Sequence, residues 1–236
     1  MQHHHARLSV VGGGLAALLP AIGQAAGGHY EVEDAELAGT GACELETRHT
    51  RVDSDNQENN AIVTCNPRGG FELGAGAERL LEDGDFYDTV VEVNGKVLFA
   101  SGDAWAAGLY AAGFRSHQAG EIPEWEIRVP FTFEPLKPLA VHLNAGWSWQ
   151  RGDENETLWG VGADYAVLDG VSLIAETFGS HRGGSTFAQA GIRLHIAGTE
   201  VDLGYGRDRD GDDDQYTLGA IWHFGIRTPE VNHGTQ

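Results

Sequence analysis

The sequence predicts an all-β chain closing into a transmembrane, antiparallel up-and-down β-barrel of about twelve strands. Three observations carry this: apolar and polar residues alternate with period two, tight turns alternate with polar loops, and aromatic side chains gather at strand ends. No helix-period stretch competes.

Composition narrows the alternatives. The 236 residues suit one all-β domain, and no composition shift marks a second. Thirty-five acidic against 15 basic side chains leave a net charge of −20, which argues against nucleic acid or an anionic lipid surface as partner, because phosphate binding needs clustered Lys and Arg. A mean hydropathy of −0.29 fits a barrel wall, in which only every second residue meets lipid. Beyond the N-terminal segment no apolar run is long enough for a membrane helix.

Residues 1–26 read as an export signal: Arg7 in a short head that includes His3, His4 and His5, an apolar stretch over 8–22, and small residues at Gly23 and Ala25. The alternatives are an amphipathic helix or an uncleaved anchor. Residues 27–40 are polar and poor in alternation, so they form an N-terminal strap or plug. The barrel itself occupies 41–224, and 225–236 form a disordered polar tail.

In order, the strands fall at 41–51, 58–66, 70–81, 86–100, 103–115, 122–133, 138–151, 155–167, 169–179, 185–198, 199–207 and 214–224. Twelve is even, as single-chain bacterial barrels require. On the inward face the first strand carries Glu44, Glu46 and Arg48, the fourth Glu92, Asn94 and Lys96, and the sixth Glu126 and Arg128. The seventh adds His142 and Asn144, the tenth Gln189, Arg193 and His195, and the eleventh Glu200 and Asp202. Lipid positions are aliphatic, as at Leu143 and Ala145, Ile192 and Leu194, or Leu218 and Ala220.

Tight connections are expected at 66–69, 101–103, 135–138, 168–170 and 197–199, with polar, mostly longer loops at 52–57, 82–85, 116–121, 152–155, 180–184 and 208–213. Short periplasmic turns and longer outer loops give the barrel a direction. Phe71, Trp105, Phe133, Tyr165 and Trp222 make a girdle near the turns, and Phe86, Phe114, Trp125, Trp159, Tyr205 and Tyr216 one near the loops.

In the last strand Gly219, Trp222 and Phe224 resemble the C-terminal assembly signal of outer-membrane proteins, which implies the barrel-assembly machinery as a partner. Such signals commonly end a chain; here twelve residues follow Phe224. The run His29-Tyr30-Glu31-Val32-Glu33-Asp34-Ala35, then Gly39-Thr40-Gly41 and the glutamate-bearing first strand, resembles outer-membrane proteins grouped with the phenol-degradation meta-pathway transporters. The likeness extends loosely through strand rhythm. It implies a transport-like barrel in the cell outer membrane, and neither a substrate nor a binding residue carries over.

Cys43 and Cys65 close the turn end of one hairpin, either as a cross-strand disulfide or as two small hydrophobes that never meet. Asp208, Asp210, Asp212 and Asp214 alternate around Gly211, the ligand type Ca²⁺ favours, but without the late Glu of an EF-hand loop. The alternative is a solvated acidic loop. Ser116-His117 and Ser180-His181 are adjacent pairs on extended chain and face opposite ways, so neither is a nucleophile with its base; His142 or His195 with Asp164 or Glu176 leave a lipid-modifying hydrolase as a minor alternative.

The inward charges line a channel or fill a closed barrel with salt bridges. The expected function is thus passive passage of a small, apolar or aromatic solute with no cofactor. The rival is a closed structural or adhesive barrel with cation-binding acidic loops. Outer-membrane lipid and lipopolysaccharide surround either one.

Overall fold

The computed structural model describes residues 30–52, 56–118, 124–150, 155–181, 186–209 and 213–226. The expected export signal at 1–26 and most of the tail, 227–236, lie outside these residues. Twelve strands run in sequence: β1 (Ala42–Val52), β2 (Asn56–Asn66), β3 (Phe71–Glu82), β4 (Asp85–Gly102), β5 (Trp105–Ser116) and β6 (Glu124–Leu136). They continue as β7 (Leu139–Gln150), β8 (Glu156–Leu168), β9 (Val171–Ser180), β10 (Thr186–Ile196), β11 (Thr199–Asp208) and β12 (Asp214–Gly225). Each pairs antiparallel with its sequence neighbour, and β1 pairs with β12 to close the barrel. No helix occurs among the described residues.

Closure satisfies the ladder groups of every strand, which a wall in hydrocarbon requires. Register follows from the period-two pattern. Slipping β1 by one residue against β12 would carry Glu44, Glu46 and Arg48 into lipid and Leu45 into the lumen. On the outer face Leu143 is 44% exposed and Leu218 51%, values that acyl chains rather than water account for.

Two connections differ from expectation. Only Asp83 and Gly84 separate β3 from β4, both with positive φ (54° and 79°), so the expected loop at 82–85 is a two-residue hairpin turn. Asp-Gly relaxes into that mirror-image turn, whose twist matches the strands it joins. Likewise β1 and β2 are paired out to Val52 and Asn56, which leaves only 53–55 of the loop expected at 52–57. Phe114 departs from its girdle: it shares the inner face of β5 with Tyr110 and lines the lumen. β12 extends to Gly225, and the N–H of Ile226 continues the ladder onto the carbonyl of Gly41 at 2.7 Å.

Cys43 and Cys65 stand directly opposite in the β1–β2 ladder and form a disulfide. Closing a loop of sequence separation 22 contributes about 2–4 kcal/mol by restricting the unfolded chain. Cys65→Ala is therefore expected to lower the temperature at which the folded barrel converts to its slow-migrating form on a gel. It should also abolish the effect of reductant on the boiled protein's mobility.

Candidate functional site: a plugged, acidic lumen

Twelve strands enclose more space than wall side chains fill. Residues 30–40 occupy much of it. The chain enters from Gly41 at the turn end, and its small or apolar residues Tyr30, Val32, Ala35 and Ala38 are buried against the wall.

This segment has no partner strand, so its backbone groups need side-chain partners. The wall supplies them. Glu176 accepts from the N–H groups of Glu31 (2.8 Å) and Val32 (3.1 Å). Asn144 accepts from the N–H of Glu33 at 2.8 Å and donates to its carbonyl at 2.7 Å. Nearer the turn end, Thr132 Oγ1 accepts from Ala35 N–H (2.8 Å), Glu72 from Ala38 N–H (2.9 Å), and Asn66 donates to Ala38 O (2.6 Å).

Three inward glycines make room for the segment. A Cβ on Gly160 would stand 2.9 Å from Val32 Cγ2, one on Gly162 3.3 Å from Val32 Cβ, and one on Gly191 2.5 Å from the Tyr30 hydroxyl. A side chain at Gly160 would displace Val32, and one at Gly191 would also meet the wall's own backbone at Leu203.

Charge pairing completes the seat. Lys96 Nζ lies 3.0 Å from Asp34, 3.3 Å from Glu33 and 3.4 Å from Glu72, so one ammonium ties two plug carboxylates to a wall carboxylate. Arg48 joins Glu31 (3.4 Å) to Glu78 (3.2 Å), while Arg128 pairs with Glu126 and reaches Glu31 at 3.8 Å. Arg193, 1% exposed, is held bidentately by Asp202 with both contacts at 2.8 Å, lies 3.2 Å from Glu200, and stacks its guanidinium 5.7 Å from the Tyr30 ring centre. Buried charges of this kind persist only when paired and hydrogen-bonded.

The structure places the sequence-predicted inward residues on the inner face of the wall. Of the rest, Glu44 meets His223 at 3.1 Å, Glu46 and Glu92 line the main cavity, and Gln189 donates to Glu176. His142 hydrogen-bonds Thr132 at 3.0 Å, and His195 lies 3.6 Å from Glu200. Glu176 and His142 are thus engaged in seating the plug, directly or through Thr132, rather than arranged as an acid–base pair. Sequence reasoning did not assign Glu72, Thr132 or the glycine seat to the lumen, and it weighed Glu176 only as a partner for His142 or His195. Their inward parity was legible; their use by residues 30–40 was not.

The space that remains includes two cavities. One, about 260 Å³, lies between the plug and the β1–β6 wall and is lined by eleven carboxylates against the cations Arg48, Lys96 and Arg128. The other, about 250 Å³, lies over the plug against β6–β9, lined by Arg128, Asn144 and Phe178 among others.

The acidic β11–β12 loop does not assemble a metal centre among the described residues, and Asp210 and Asp212 fall outside them. Asp214 instead accepts from the Tyr205 hydroxyl at 2.8 Å and pairs with Arg207 at 3.9 Å. The N–H of Asp208 reaches the carbonyl of Asp213 at 3.2 Å.

A closed twelve-stranded wall with an aliphatic exterior and a charged, plug-filled interior defines a porin-like transmembrane β-barrel. The chain belongs to the family described as "Uncharacterised conserved protein UCP029691", whose model matches residues 14–224. Among solved structures, it is similar to the KdgM porin at 11% identity and a TM-score of 0.65, covering 77% of this chain and 99% of that one. KdgM in complex with disordered oligogalacturonate gives 11% identity and 0.64 over the same shares. The NanC porin gives 13% identity and 0.62 over 75% of this chain and 98% of that one. These likenesses bear on the fold. No curated protein matches the sequence.

Proposed function

We propose that the protein is a passive outer-membrane channel for small solutes, narrowed by its own N-terminal segment and selective for cations. The observation that carries this is the main cavity, where eleven carboxylates face three cationic side chains. Fixed charge lining a narrow path sets the sign of the ions it favours. A further support is the fold shared with the KdgM and NanC porins.

Charge also separates this channel from one relative. KdgM has been solved in complex with oligogalacturonate, a polycarboxylate by its chemistry. An excess of lumen carboxylates repels such a polymer, so that cargo does not carry over. A small apolar or aromatic solute, the expectation from the sequence, is the competing reading.

In planar bilayers under a potassium chloride gradient, the reversal potential is expected to take the sign of cation preference, and Glu46→Gln with Glu92→Gln to weaken it. Anion preference would overturn the selectivity. Liposome swelling with a small amine, a neutral sugar and phenol separates the solute classes, and absence of both conductance and swelling would favour the closed structural barrel. Outer-membrane residence is read by fractionation and by heat-dependent gel migration.

A further inference from the structure

The eight Lys and Arg side chains on the strands divide evenly between the two faces. Arg48, Lys96, Arg128 and Arg193 point into the lumen, as their contacts there show. By alternation Arg51, Arg79, Arg115 and Arg207 point outward, all four are exposed, and each stands within three residues of its strand's loop end. Among the described residues, no outward strand Lys or Arg stands near the turns. The net charge of the chain concealed this: its inward carboxylates face away from the outer rim.

One sector of that rim adjoins an apolar groove. On the outer wall across β1, β12, β11 and β10, a groove is lined by Ile192, Leu203 and Leu218 and, one outward step nearer the loops, by Ala190, Tyr205 and Tyr216. The two tyrosine rings lie 5.3 Å apart at 51°, and the Arg207–Asp214 pair holds the Tyr205 hydroxyl. Arg51 stands opposite Tyr216 in the ladder and edges the groove together with His49, which hydrogen-bonds Asn59 at 2.9 Å. Two outward rungs therefore follow one another toward the rim: Leu203 and Leu218 first, then Tyr205, Tyr216 and Arg51 together. That is the order of acyl chain, then interface with phosphate, in a lipid.

We propose that this groove binds one molecule of a phosphorylated glycolipid of the lipid A type, an acyl chain lying along Leu203 and Leu218 and a phosphate at Arg51. The bidentate fork of Arg suits a phosphate better than a point charge does. The site rests on the outer-membrane reading, with the loops facing outward.

Native mass spectrometry of the full chain in detergent tests it, using bisphosphorylated lipid A, monophosphoryl lipid A and phosphatidylethanolamine as probes. One bisphosphorylated molecule should survive activation that strips the other two. Arg51→Ala should reduce the retained fraction several-fold, while Arg115→Ala, which removes a rim charge away from the groove, leaves it unchanged. Equal retention of the three lipids, equal loss in the two variants, or a dimer without lipid would each overturn the site. If Arg51→Ala does not fold, the ranking of the three probes on the unaltered protein decides. Fractionation of the same cells keeps the two readings apart: an outer-membrane protein without lipid A preference sinks the groove alone, and absence from that fraction sinks the location.

Discussion

Deleting residues 30–38 is expected to raise single-channel conductance several-fold while leaving the barrel intact. The wall keeps its own charge pairs without the plug: Arg48 retains Glu78, Arg128 retains Glu126, Lys96 retains Glu72, and Arg193 retains Asp202 and Glu200. Each of these buried cations keeps a carboxylate, so the shell survives. Both cavities are lined by Glu31, so its removal is expected to join them. Selectivity stays cationic, because the deletion removes Glu31, Glu33, Asp34 and Glu36 but leaves seven of the eleven lining carboxylates. Gly160→Leu should act in the same direction with a single change, since even a Cβ there stands 2.9 Å from Val32. Conductance unchanged in both variants would mean that residues 30–40 do not limit flow.

The second large effect is expected at Lys96. Lys96→Met takes away the one ammonium that lies 3.0–3.4 Å from Glu33, Asp34 and Glu72 and joins them. Removing one partner of a buried charge cluster costs roughly 3–5 kcal/mol, because like charges are left close together with the cation that joined them gone. The readout is a fall in the temperature of heat modification. Adding Asp34→Asn should recover part of the loss, as expected for neighbours that share one cluster. In the plug deletion the same substitution should cost much less, with only Glu72 of the three carboxylates left. A full-sized loss in that background would show that Lys96 stabilises the wall rather than the seat.

The amino-acid sequence by itself determined the barrel, a count of about twelve strands and the inward face of residues such as Glu44, Lys96 and Arg193. Period two is a local property: Glu44, Glu46 and Arg48 share a face of β1 whatever the rest of the chain does. It also carried the expected direction of the barrel, through turns such as Leu168-Asp169-Gly170 set against the polar loops, though Asp83-Gly84 is a tight turn on the loop side. Local pattern left open whether residues 27–40 were strap or plug, and whether Cys43 met Cys65. Both depend on which residues stand opposite one another. Only the closed tertiary structure decided that Glu176 receives the N–H of Glu31, 145 residues away, and that Lys96 meets Asp34, 62 away. The same closure seats Val32 on Gly160. Alternation specifies which way a side chain points, whereas curvature and register specify what it meets, and those arise from all twelve strands together.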